Sequence, residues 1–335
     1  MPRAIVIRTS ESAAAGEPVN TAVLEEVGAP PASDGPVLVD VAWSDLNYKD
    51  ALALTGRPGV VRTPPLVAGI DLVGTVAASE DVRWRPGDVV VLNGTGLSET
   101  RNGGLTEQAR VSGDFLVRVP EALTPARAAA LGTAGYTAAL CVLRLERAGL
   151  TSSPEQPILV TGATGGVGSI AILLLSAAGH HVAALTGREQ EYGDYLRALG
   201  ATTVVPRAEL LGTGRPLQSQ RWSAVVDTVG GEVLANAISQ TRYGGTVTAC
   251  GLAGSAALPA SMVPFILRAV TLAGVDSVSA PLADREAAWA RLARDVDPDV
   301  LDGLTETVPL AEAIDAASRL LAGGAHGRIA VNVRG

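Results

Sequence analysis

A glycine-rich turn between an apolar strand and a helix is the feature of this 335-residue sequence that most constrains its fold. Residues 158–168 read ILVTGATGGVG, and apolar residues continue beyond them at helical spacing. Glycines at such a turn let backbone N–H groups approach a pyrophosphate, and the helix N-terminus adds partial positive charge. The pattern A-x-G-x-x-G has alanine at the usual first glycine, but its strand–loop–helix context is the required one; a purely structural tight turn is the alternative. The predicted dinucleotide contacts are Ala163, Thr164, Gly165, Gly166 and Val167.

The remaining pattern is typical of an α/β protein. Six short apolar runs alternate with helical segments, which predicts a doubly wound parallel sheet, the Rossmann fold. The first third instead consists of short strands separated by glycine and proline turns, which predicts a small β-barrel-like domain. A helix over Asp284–Arg294 and a strand over Arg328–Val333 are expected to return to that first domain. The six runs are Ile158–Thr161, His181–Leu185, Thr203–Val205, Ala224–Thr228, Thr246–Ala249 and Thr271–Val275.

The length suits two domains. The pattern changes after the first third, where a helix of small residues covers Pro125–Leu131 and a second helix begins near Thr137. We predict a barrel-like catalytic domain from residues 1–121 and 276–335, and a nucleotide-binding domain from residues 122–275. The small residues around Ala13–Gly16 are predicted to form a loop. The strands predicted in the first third are Ala4–Arg8, Val37–Ala42, Ile70–Ala77 and Asp88–Leu92.

Composition excludes several classes of protein. Hydrophobic residues make up 47% of the chain and charged residues 18%, which suits buried cores. A net charge of −8 and an aromatic content of 3% argue against a nucleic-acid partner. Apolar runs are too short for a bilayer span or a signal-peptide core, so no membrane partner is expected. Because Cys141 and Cys250 are the only cysteines, a disulfide framework is not indicated, and we predict a cytoplasmic protein.

The end of the second Rossmann strand indicates NADPH rather than NADH. An NAD site usually places Asp or Glu about 20 residues after the glycine loop, on the ribose diol. Here the strand ends in Thr186, Gly187 and Arg188, which suit a 2′-phosphate. Glu189 comes one position late for the diol, although it competes with this interpretation. Arg207, after the third strand, is expected to clamp the phosphate or the adenine face; a solvated loop arginine is the alternative.

The sequence predicts no catalytic metal. Catalytic zinc needs three protein ligands among Cys, His and acidic residues. No Cys or His precedes Cys141, and the three histidines, His180, His181 and His326, form no ligand set. Without a Lewis acid on the substrate, an alkene activated by a conjugated carbonyl suits hydride transfer better than a simple alcohol or ketone.

The segment Ser44–Asp50, SDLNYKD, carries the candidate catalytic groups. Hydride addition to the β-carbon makes an enolate, which needs hydrogen-bond donors at its oxygen and a proton for its α-carbon. We predict Tyr48, or a water that it holds, as the proton donor, and Asn47 as a group that orients the nicotinamide ribose or the substrate. Lys49, the only lysine of the chain, is expected to be fixed by Asp50. An ordinary helix cap is the alternative interpretation of this segment.

A set of short segments is more specific than the glycine loop alone. They are LNYKDAL (46–52), GID (69–71), GGLTEQ (103–108), GTAGYTA (132–138), TGR (186–188), VDTVG (226–230), YGG (243–245), CGLAG (250–254), PFILR (264–268) and GVDS (274–277). The set spans nearly the whole chain. It resembles the zinc-independent, quinone-oxidoreductase-like medium-chain dehydrogenases/reductases, and among them the acrylyl-CoA reductase branch.

That resemblance implies a GroES-like barrel for the first domain and NADPH-dependent reduction of acrylyl-CoA or a similar short enoyl-CoA. It implies that Ile70 takes the place of a zinc-binding histidine of metal-dependent relatives. It further implies that Thr133 contacts the nicotinamide side and that Cys250 and Gly251 form a turn along the nicotinamide. Arg328 resembles the basic cofactor contact of the family near the C-terminus.

The substrate and the assembly remain open at this point. The loop Leu97–Asn102 departs from the family pattern, so quinone or free alkenal reduction is an alternative, and a non-catalytic NADPH-binding or RNA-binding module is an alternative of another class. A CoA thioester needs basic groups for its phosphates, and Arg57 and Arg62 are available. The sixth Rossmann strand, Thr271–Val275, is expected at a sheet edge, where a second copy would pair with it to form a homodimer.

Overall fold

The computed structural model describes residues 1–11 and 18–335, so the loop predicted around Ala13–Gly16 lies outside the described residues. The chain divides into two compact units. The first comprises Met1–Thr133, Val278–Ala293 and Leu301–Gly335, and the second comprises Ala134–Ser277 and Arg294–Val300. The domain boundaries predicted from the sequence, at 121/122 and 275/276, remain a prediction.

The described residues form sixteen strands and nine helices. The strands are β1 (Arg3–Glu11), β2 (Pro18–Glu26), β3 (Val37–Asp45), β4 (Leu66–Val67), β5 (Asp71–Ser79), β6 (Val89–Asn93), β7 (Gln108–Val111), β8 (Val117–Arg118), β9 (Ile158–Val160), β10 (Val182–Thr186), β11 (Thr203–Pro206), β12 (Ala224–Asp227), β13 (Thr246–Ala249), β14 (Thr271–Gly274), β15 (Thr305–Pro309) and β16 (Arg328–Asn332). The helices are α1 (Tyr48–Leu54), α2 (Pro125–Arg147), α3 (Gly166–Ala177), α4 (Glu189–Ala198), α5 (Gly231–Gln240), α6 (Val263–Arg268), α7 (Leu282–Asp295), α8 (Pro298–Gly303) and α9 (Ala313–Leu321).

The first unit is built from two antiparallel-rich sheets, as the short strands predict. One sheet has the order β2-β1-β4, and the other has the order β15-β16-β3-β5-β6-β8 with β7 also paired to β3. Strand β3 buries alternate residues, Val37, Val39 and Val41, because successive side chains of a strand point to opposite faces. The last strand, β16, pairs antiparallel with β3, which confirms that the C-terminal segment returns to the first domain.

The second unit contains a six-stranded parallel sheet in the order β11-β10-β9-β12-β13-β14. All six predicted Rossmann strands are present, each within two residues of its predicted bounds. The runs in β9, β10 and β12 are buried throughout, because helices cover both faces of such a sheet. Strand β14 ends the sheet, as predicted. The doubly wound parallel sheet and the domain of short, mostly antiparallel strands are both confirmed.

Helix α2 merges the two helices that were predicted there. Gly132 interrupts it with a left-handed backbone conformation, φ 48° and ψ −155°. A Cβ at this position would collide with the carboxylate of Asp45. Glycine therefore permits a close approach that no other residue allows.

Helix α2 is also the one helix of the described chain that is long and apolar enough to cross a membrane, with a mean hydropathy of 1.4 over 18 residues. In this fold 83% of that stretch is buried within the protein. Such burial is what a core helix shows, so its length and composition are a weak indication of a membrane span.

Candidate functional site

The glycine loop of the second unit has the geometry of a phosphate-binding turn. The chain leaves β9, passes Gly162 at φ +59°, and enters α3 at Gly166. A Cβ on Gly168 would collide with the carbonyl of Gly162, so glycine is needed for α3 to pack on the turn. No side chain caps the N-terminus of α3, whose Ncap residue is Gly165. The first-turn N–H groups have no intrahelical acceptors and are available to an anion.

Two arginines converge beyond the neighbouring strand β10. The Arg188 guanidinium reaches the glycine loop, with its Nη2 3.4 Å from Thr164 Oγ1. The guanidinium carbon of Arg188 also lies 4.4 Å from the ring centroid of Tyr192, a residue one helical turn further along α4. Arg207 begins the turn after β11, and its guanidinium carbon would lie 3.1 Å from a Cβ built on Gly187. The structure therefore brings Arg188, Arg207 and the loop together.

Thr186 has a local structural role in this group. It is buried at the end of β10, and its Oγ1 accepts a hydrogen bond from the backbone N–H of Arg188 at 3.1 Å. Tyr192 was missed by the sequence analysis, although its i+4 spacing from Arg188 on a helix is the signal that predicts such a contact.

The turn Cys250–Gly251 belongs to the same edge of the sheet. It follows β13, and the N–H of Cys250 donates to the carbonyl of Asp227 at 3.0 Å. Gly251 and Gly162 both pack against Thr228, since a Cβ on either glycine would collide with that residue. The carboxyl ends of β9, β12 and β13 thus meet where Rossmann folds bind nucleotides.

In the first unit, the predicted catalytic segment forms the start of α1. Asn47 is the N-cap, and its N–H donates to Asp50 Oδ2 at 2.9 Å. Asp50 is fully buried and also accepts from the N–H of Ile70 at 2.8 Å. Tyr48 is 55% exposed. The segment therefore does form a helix cap, as the alternative interpretation predicts. The Tyr48 phenol takes no part in that cap and is accessible to a ligand.

The prediction that Asp50 fixes Lys49 is wrong. The Lys49 ammonium forms an ion pair with Glu99, on the loop after β6. Consecutive residues of a helix point in different directions, so Asp50 enters the core while Lys49 faces that loop. The N–H of Arg62 donates to the Glu99 carbonyl at 2.8 Å, which ties a second segment to the same place.

A buried carboxylate network underlies this segment. Asn47 Nδ2 donates to Asp71 Oδ2 at 2.9 Å and to Asp45 Oδ1 at 3.2 Å. Arg328, only 3% exposed, forms an ion pair with Asp45, and its Nε donates to the Ala130 carbonyl at 2.7 Å. Its predicted contact with a cofactor remains a prediction; in the structure its guanidinium neutralises a buried carboxylate.

The network continues from Asp71 in two directions. Thr133 donates to it twice, from its N–H at 2.7 Å and from Oγ1 at 2.6 Å. Asn93 Nδ2 donates to Asp71 Oδ1 at 2.8 Å, and Asn93 Oδ1 accepts from Trp289 Nε1 at 3.2 Å. The sequence analysis missed Asp45, Asp71 and Asn93 as site residues, because their partners lie far away in the chain. The sequence signal for these three residues is that each is a polar residue inside or next to an apolar strand.

Burial raises the pKa of two of the carboxyls. Burial first, and the charge of Asp71 second, raise the pKa of Asp50 from 3.8 to about 7. Burial and Asp71 also raise the pKa of Asp45 well above its usual range, while the Arg328 guanidinium acts in the opposite direction. Both shifts favour the protonated form of Asp45 and Asp50, because burial disfavours a charged carboxylate.

Among residues 1–11 and 18–335, no group of three or more His, Cys, Asp or Glu side chains is arranged to hold a metal ion. At the position that the resemblance compares with a zinc-binding histidine, Ile70 is buried. The N–H of Ile70 donates a hydrogen bond to Asp50 Oδ1.

Family comparisons agree with these two units. The alcohol dehydrogenase GroES-like domain family matches residues 33–121, and the zinc-binding dehydrogenase family matches residues 166–294. The chain belongs to this family, the medium-chain dehydrogenases/reductases.

Among individual proteins, it is 48% identical to the Escherichia coli K12 protein named "Probable acrylyl-CoA reductase AcuI", over 90% of this chain and 92% of that one. It is 47% identical to "Acrylyl-CoA reductase AcuI" of Ruegeria pomeroyi, over 89% and 90%. It is 45% identical to the Bacillus subtilis protein named "Putative quinone oxidoreductase YhfP", over 89% of this chain and 90% of that one.

Solved structures share the whole fold. The yhdH oxidoreductase of Salmonella enterica in complex with NADP superposes with a TM-score of 0.93 at 44% identity, covering 98% of this chain and 99% of that one. Bacillus subtilis yhfP with NAD bound gives a TM-score of 0.92 at 40% identity, covering 99% of each chain.

Proposed function

We propose that this protein reduces the α,β-double bond of acrylyl-CoA or a similar short enoyl-CoA with NADPH. The observation that carries this proposal is the 48% and 47% identity to two proteins named as acrylyl-CoA reductases, each over about nine-tenths of the chain. The exposed Tyr48 phenol beside an ion-paired Lys49 supplies groups that suit an enolate.

The second unit fits NADPH on its own geometry. The uncapped N-terminus of α3 suits a pyrophosphate, and the glycines leave room for its close approach. Arg207 places its guanidinium beside Gly187 and Arg188 places its own beside Thr164 of the glycine loop, and two guanidinium groups suit a 2′-phosphate. Thr133, Cys250, Gly251 and Arg328 are proposed cofactor contacts on the family resemblance alone.

When bound, the reduced nicotinamide supplies the hydride that adds to the β-carbon of the enoyl group. The roles of the chain follow from the enolate that results. Tyr48, or a water that it holds, protonates the α-carbon. Lys49, held by Glu99, adds positive charge at the start of α1 and stabilises negative charge on the thioester oxygen. Asp50 and Asp71 act through Asn47, which they hold at the N-cap.

The CoA phosphates are proposed to meet Arg57 and Arg62, which lie on the exposed segment after α1. The Arg62 side chain is 70% exposed and lies near Glu99, with 3.9 Å between Nη2 and Oε2. An exposed arginine is free to bind a phosphate without the cost of breaking a buried ion pair.

One assay tests the function directly: NADPH oxidation with acrylyl-CoA, crotonyl-CoA, a benzoquinone and acrolein in parallel, with and without exhaustive chelation. We expect the highest kcat/KM with acrylyl-CoA and no loss on chelation. A preference for benzoquinone would support the second candidate, a quinone oxidoreductase, which the 45% identity to YhfP favours. Turnover of none of the four, with NADPH still bound, would favour a non-catalytic module. Stoichiometric zinc with chelator-sensitive turnover would overturn the metal-free mechanism.

We further propose a cytoplasmic homodimer. The β14 edge carries no charge, and Thr271 and Val275 direct their N–H groups to β13, which leaves the Leu272 N–H facing the open edge. Helix α6 and its N-cap residue add exposed apolar side chains that a second copy would cover, Ile266, Leu267 and Met262. If two copies pair their β14 strands antiparallel across a two-fold axis, the open N–H groups gain acceptors and the exposed apolar side chains are covered.

A further inference from the structure

Helix α7 reaches the buried carboxylate network from outside the candidate catalytic segment. Arg285 and Trp289 lie four residues apart on α7, which places them on the same face of the helix. Both side chains are buried. Trp289 Nε1 donates to Asn93 Oδ1 at 3.2 Å, and Arg285 Nη1 donates to the Asn93 backbone carbonyl at 2.9 Å. One helix therefore holds Asn93, at the end of β6, by both its side chain and its backbone.

The indole of Trp289 determines which way the Asn93 amide points. An indole nitrogen can only donate, so the amide atom that meets it is the oxygen. The amide nitrogen is then directed to Asp71, which lies opposite Asn93 in the register between β5 and β6, and it donates to Oδ1 at 2.8 Å. A reversed amide would set its oxygen against a carboxylate oxygen. The orientation of Asn93 thus depends on a donor that lies 196 positions away in the chain.

Asp71 transmits this orientation to two residues of the proposed site. Its Oδ1 accepts from Asn93 and also from Thr133 Oγ1 at 2.6 Å. Its Oδ2 accepts from the Thr133 N–H at 2.7 Å and from Asn47 Nδ2 at 2.9 Å. Thr133 is a proposed contact on the nicotinamide side, and Asn47 is predicted to orient the nicotinamide ribose or the substrate. A displacement of the Asp71 carboxylate would therefore move both residues.

We propose that Trp289 is a positioning residue of the reduction: through Asn93 it sets the Asp71 carboxylate, and through Asp71 it sets Asn47 and Thr133. Its contribution lies in geometry, because the buried indole acts only through other side chains. Hydride transfer is sensitive to small misplacements of the two reactants, so a hydrogen bond remote from the reacting atoms changes the rate. The role of Trp289 rests on the proposed function, whereas the hydrogen bonds that carry it do not.

The first test is Trp289→Phe, which keeps most of the buried ring and removes the N–H. The Asn93 amide then loses the contact that orients it. We expect kcat with acrylyl-CoA to fall by about 10- to 100-fold. The KM for NADPH should change by no more than about twofold, because the groups proposed to hold its phosphates are unaltered. A higher KM with an unchanged kcat would contradict a positioning role.

Trp222→Phe is the matched control. Trp222 is also buried, and its Nε1 donates to a side-chain amide oxygen, Gln240 Oε1, at 2.9 Å. It belongs to the parallel-sheet unit, so this variant loses the same kind of hydrogen bond while those of Asp71 stay in place. We expect both variants to be less stable to urea and only Trp289→Phe to lose kcat. A native kcat in Trp289→Phe, or an equal fall in Trp222→Phe, would overturn the proposal.

The second test, Asn93→Asp, keeps the shape of the side chain and makes its contact with Asp71 titratable. Two carboxyls at this distance share a proton, because ionising both is costly. With that proton the variant still has a donor toward Asp71; without it, two charges repel. The ratio of variant to native kcat should therefore fall by up to about tenfold per pH unit as the pH rises from about 6 to about 9. A ratio that does not change with pH would contradict the proposal.

The ratio is needed because other charged groups surround this pair. Arg285 on α7 lies at the Asn93 backbone, and Asp45, Asp50 and Arg328 belong to the network around Asp71. Burial, followed by the charge of Asp71, raises the pKa of Asp50 to about 7. Dividing by the native kcat at each pH removes the contribution of these groups.

Urea unfolding of Asn93→Asp over the same pH range measures the contact without turnover. The folded pair keeps a proton that the unfolded chain releases near pH 4, at about the ordinary carboxyl value. The stability due to that proton is lost as the pH rises through the folded value, so the unfolding equilibrium constant should rise by up to about tenfold per pH unit more than in the native sequence. An equal pH dependence would overturn the contact and the proposal with it. If the native sequence reduces none of the four substrates, the proposed function fails, and this measurement still decides whether Asn93 meets Asp71.

Discussion

Arg328 and Asp45 lie 283 residues apart in the chain and form an ion pair that is almost fully shielded from water. The pair joins β16, the last strand, to the end of β3, directly before the candidate catalytic segment. Among the described contacts, the Arg328 guanidinium meets this buried network at Asp45 and at Asn47 Oδ1. The integrity of the start of α1 therefore depends on a residue at the far end of the sequence.

Arg328→Met should destabilise the protein by about 3–5 kcal/mol, because it leaves a buried carboxyl without its partner. Asp45→Asn introduced into the same variant should recover part of that loss, since the uncompensated charge is gone. Urea unfolding of the two single variants and the double variant measures the coupling. Strictly additive losses would contradict a direct interaction between the two side chains.

Asp50→Asn should flatten the dependence of stability on pH. The folded carboxyl has a pKa of about 7 and the unfolded one of 3.8, so between these values the folded state keeps a proton that the unfolded state has lost. The stability due to that proton is complete below the lower value and is lost as the pH rises to about 7. The free energy of unfolding should fall by up to about 1.4 kcal/mol per pH unit from this group. Unfolding curves from pH 4 to 7 should show this slope in the native sequence and lack it in the variant; identical slopes would refute the assignment.

Arg188→Ala should raise the KM for NADPH by about 10- to 100-fold and leave the KM for NADH nearly unchanged, because one charge-assisted contact is lost. Arg197→Ala is the matched control, since Arg197 lies on the same helix, is exposed and bonds to Asp194. Steady-state kinetics measure the KM for NADPH and for NADH in both variants and in the native sequence. An equal loss with NADH would rule out a role on the 2′-phosphate.

Tyr48→Phe should lower kcat with acrylyl-CoA by about 100-fold or more if the phenol, or a water that it holds, delivers the proton. The free energy of unfolding should not change, because the side chain is 55% exposed. Tyr243→Phe, at a residue that is 69% exposed, serves as the control. Unchanged turnover in the Tyr48 variant would assign protonation to another group.

Leu272→Pro should shift the protein from dimer toward monomer or aggregate, because it removes an N–H that faces the open edge of β14. Leu272→Ala keeps that donor and should keep more of the dimer. Light scattering at assay concentrations measures the species present. A native sequence that is monomeric under those conditions would refute the dimer.

The Rossmann sheet could be predicted strand by strand because each buried parallel strand is a short continuous apolar run. Strands β2, β4, β7, β8 and β15 were missed. Strand β15 reads TETVP with two exposed polar side chains, and β4 and β8 have only two residues each. Helices α8 and α9 were missed as well. Local sequence carries no sign of an interaction such as that between Asn93 and Asp71, or between Arg328 and Asp45. The Lys49–Asp50 pairing failed for the converse reason, because neighbours in sequence diverge on a helix.

The closure of the first unit by β16 also sets an order of assembly during protein synthesis. Residues 134–277, which form most of the second unit, leave the ribosome before Arg328 does. The inserted unit can therefore complete its fold while the carboxyl of Asp45 still lacks its guanidinium partner. Domains usually fold in order from the N-terminus during synthesis. In this chain the first unit begins to be synthesised first but completes its fold last, because it needs β16. A chain that stops short of β16 would carry the parallel-sheet unit and would leave Asp45, directly before the candidate catalytic segment, without its ion-pair partner.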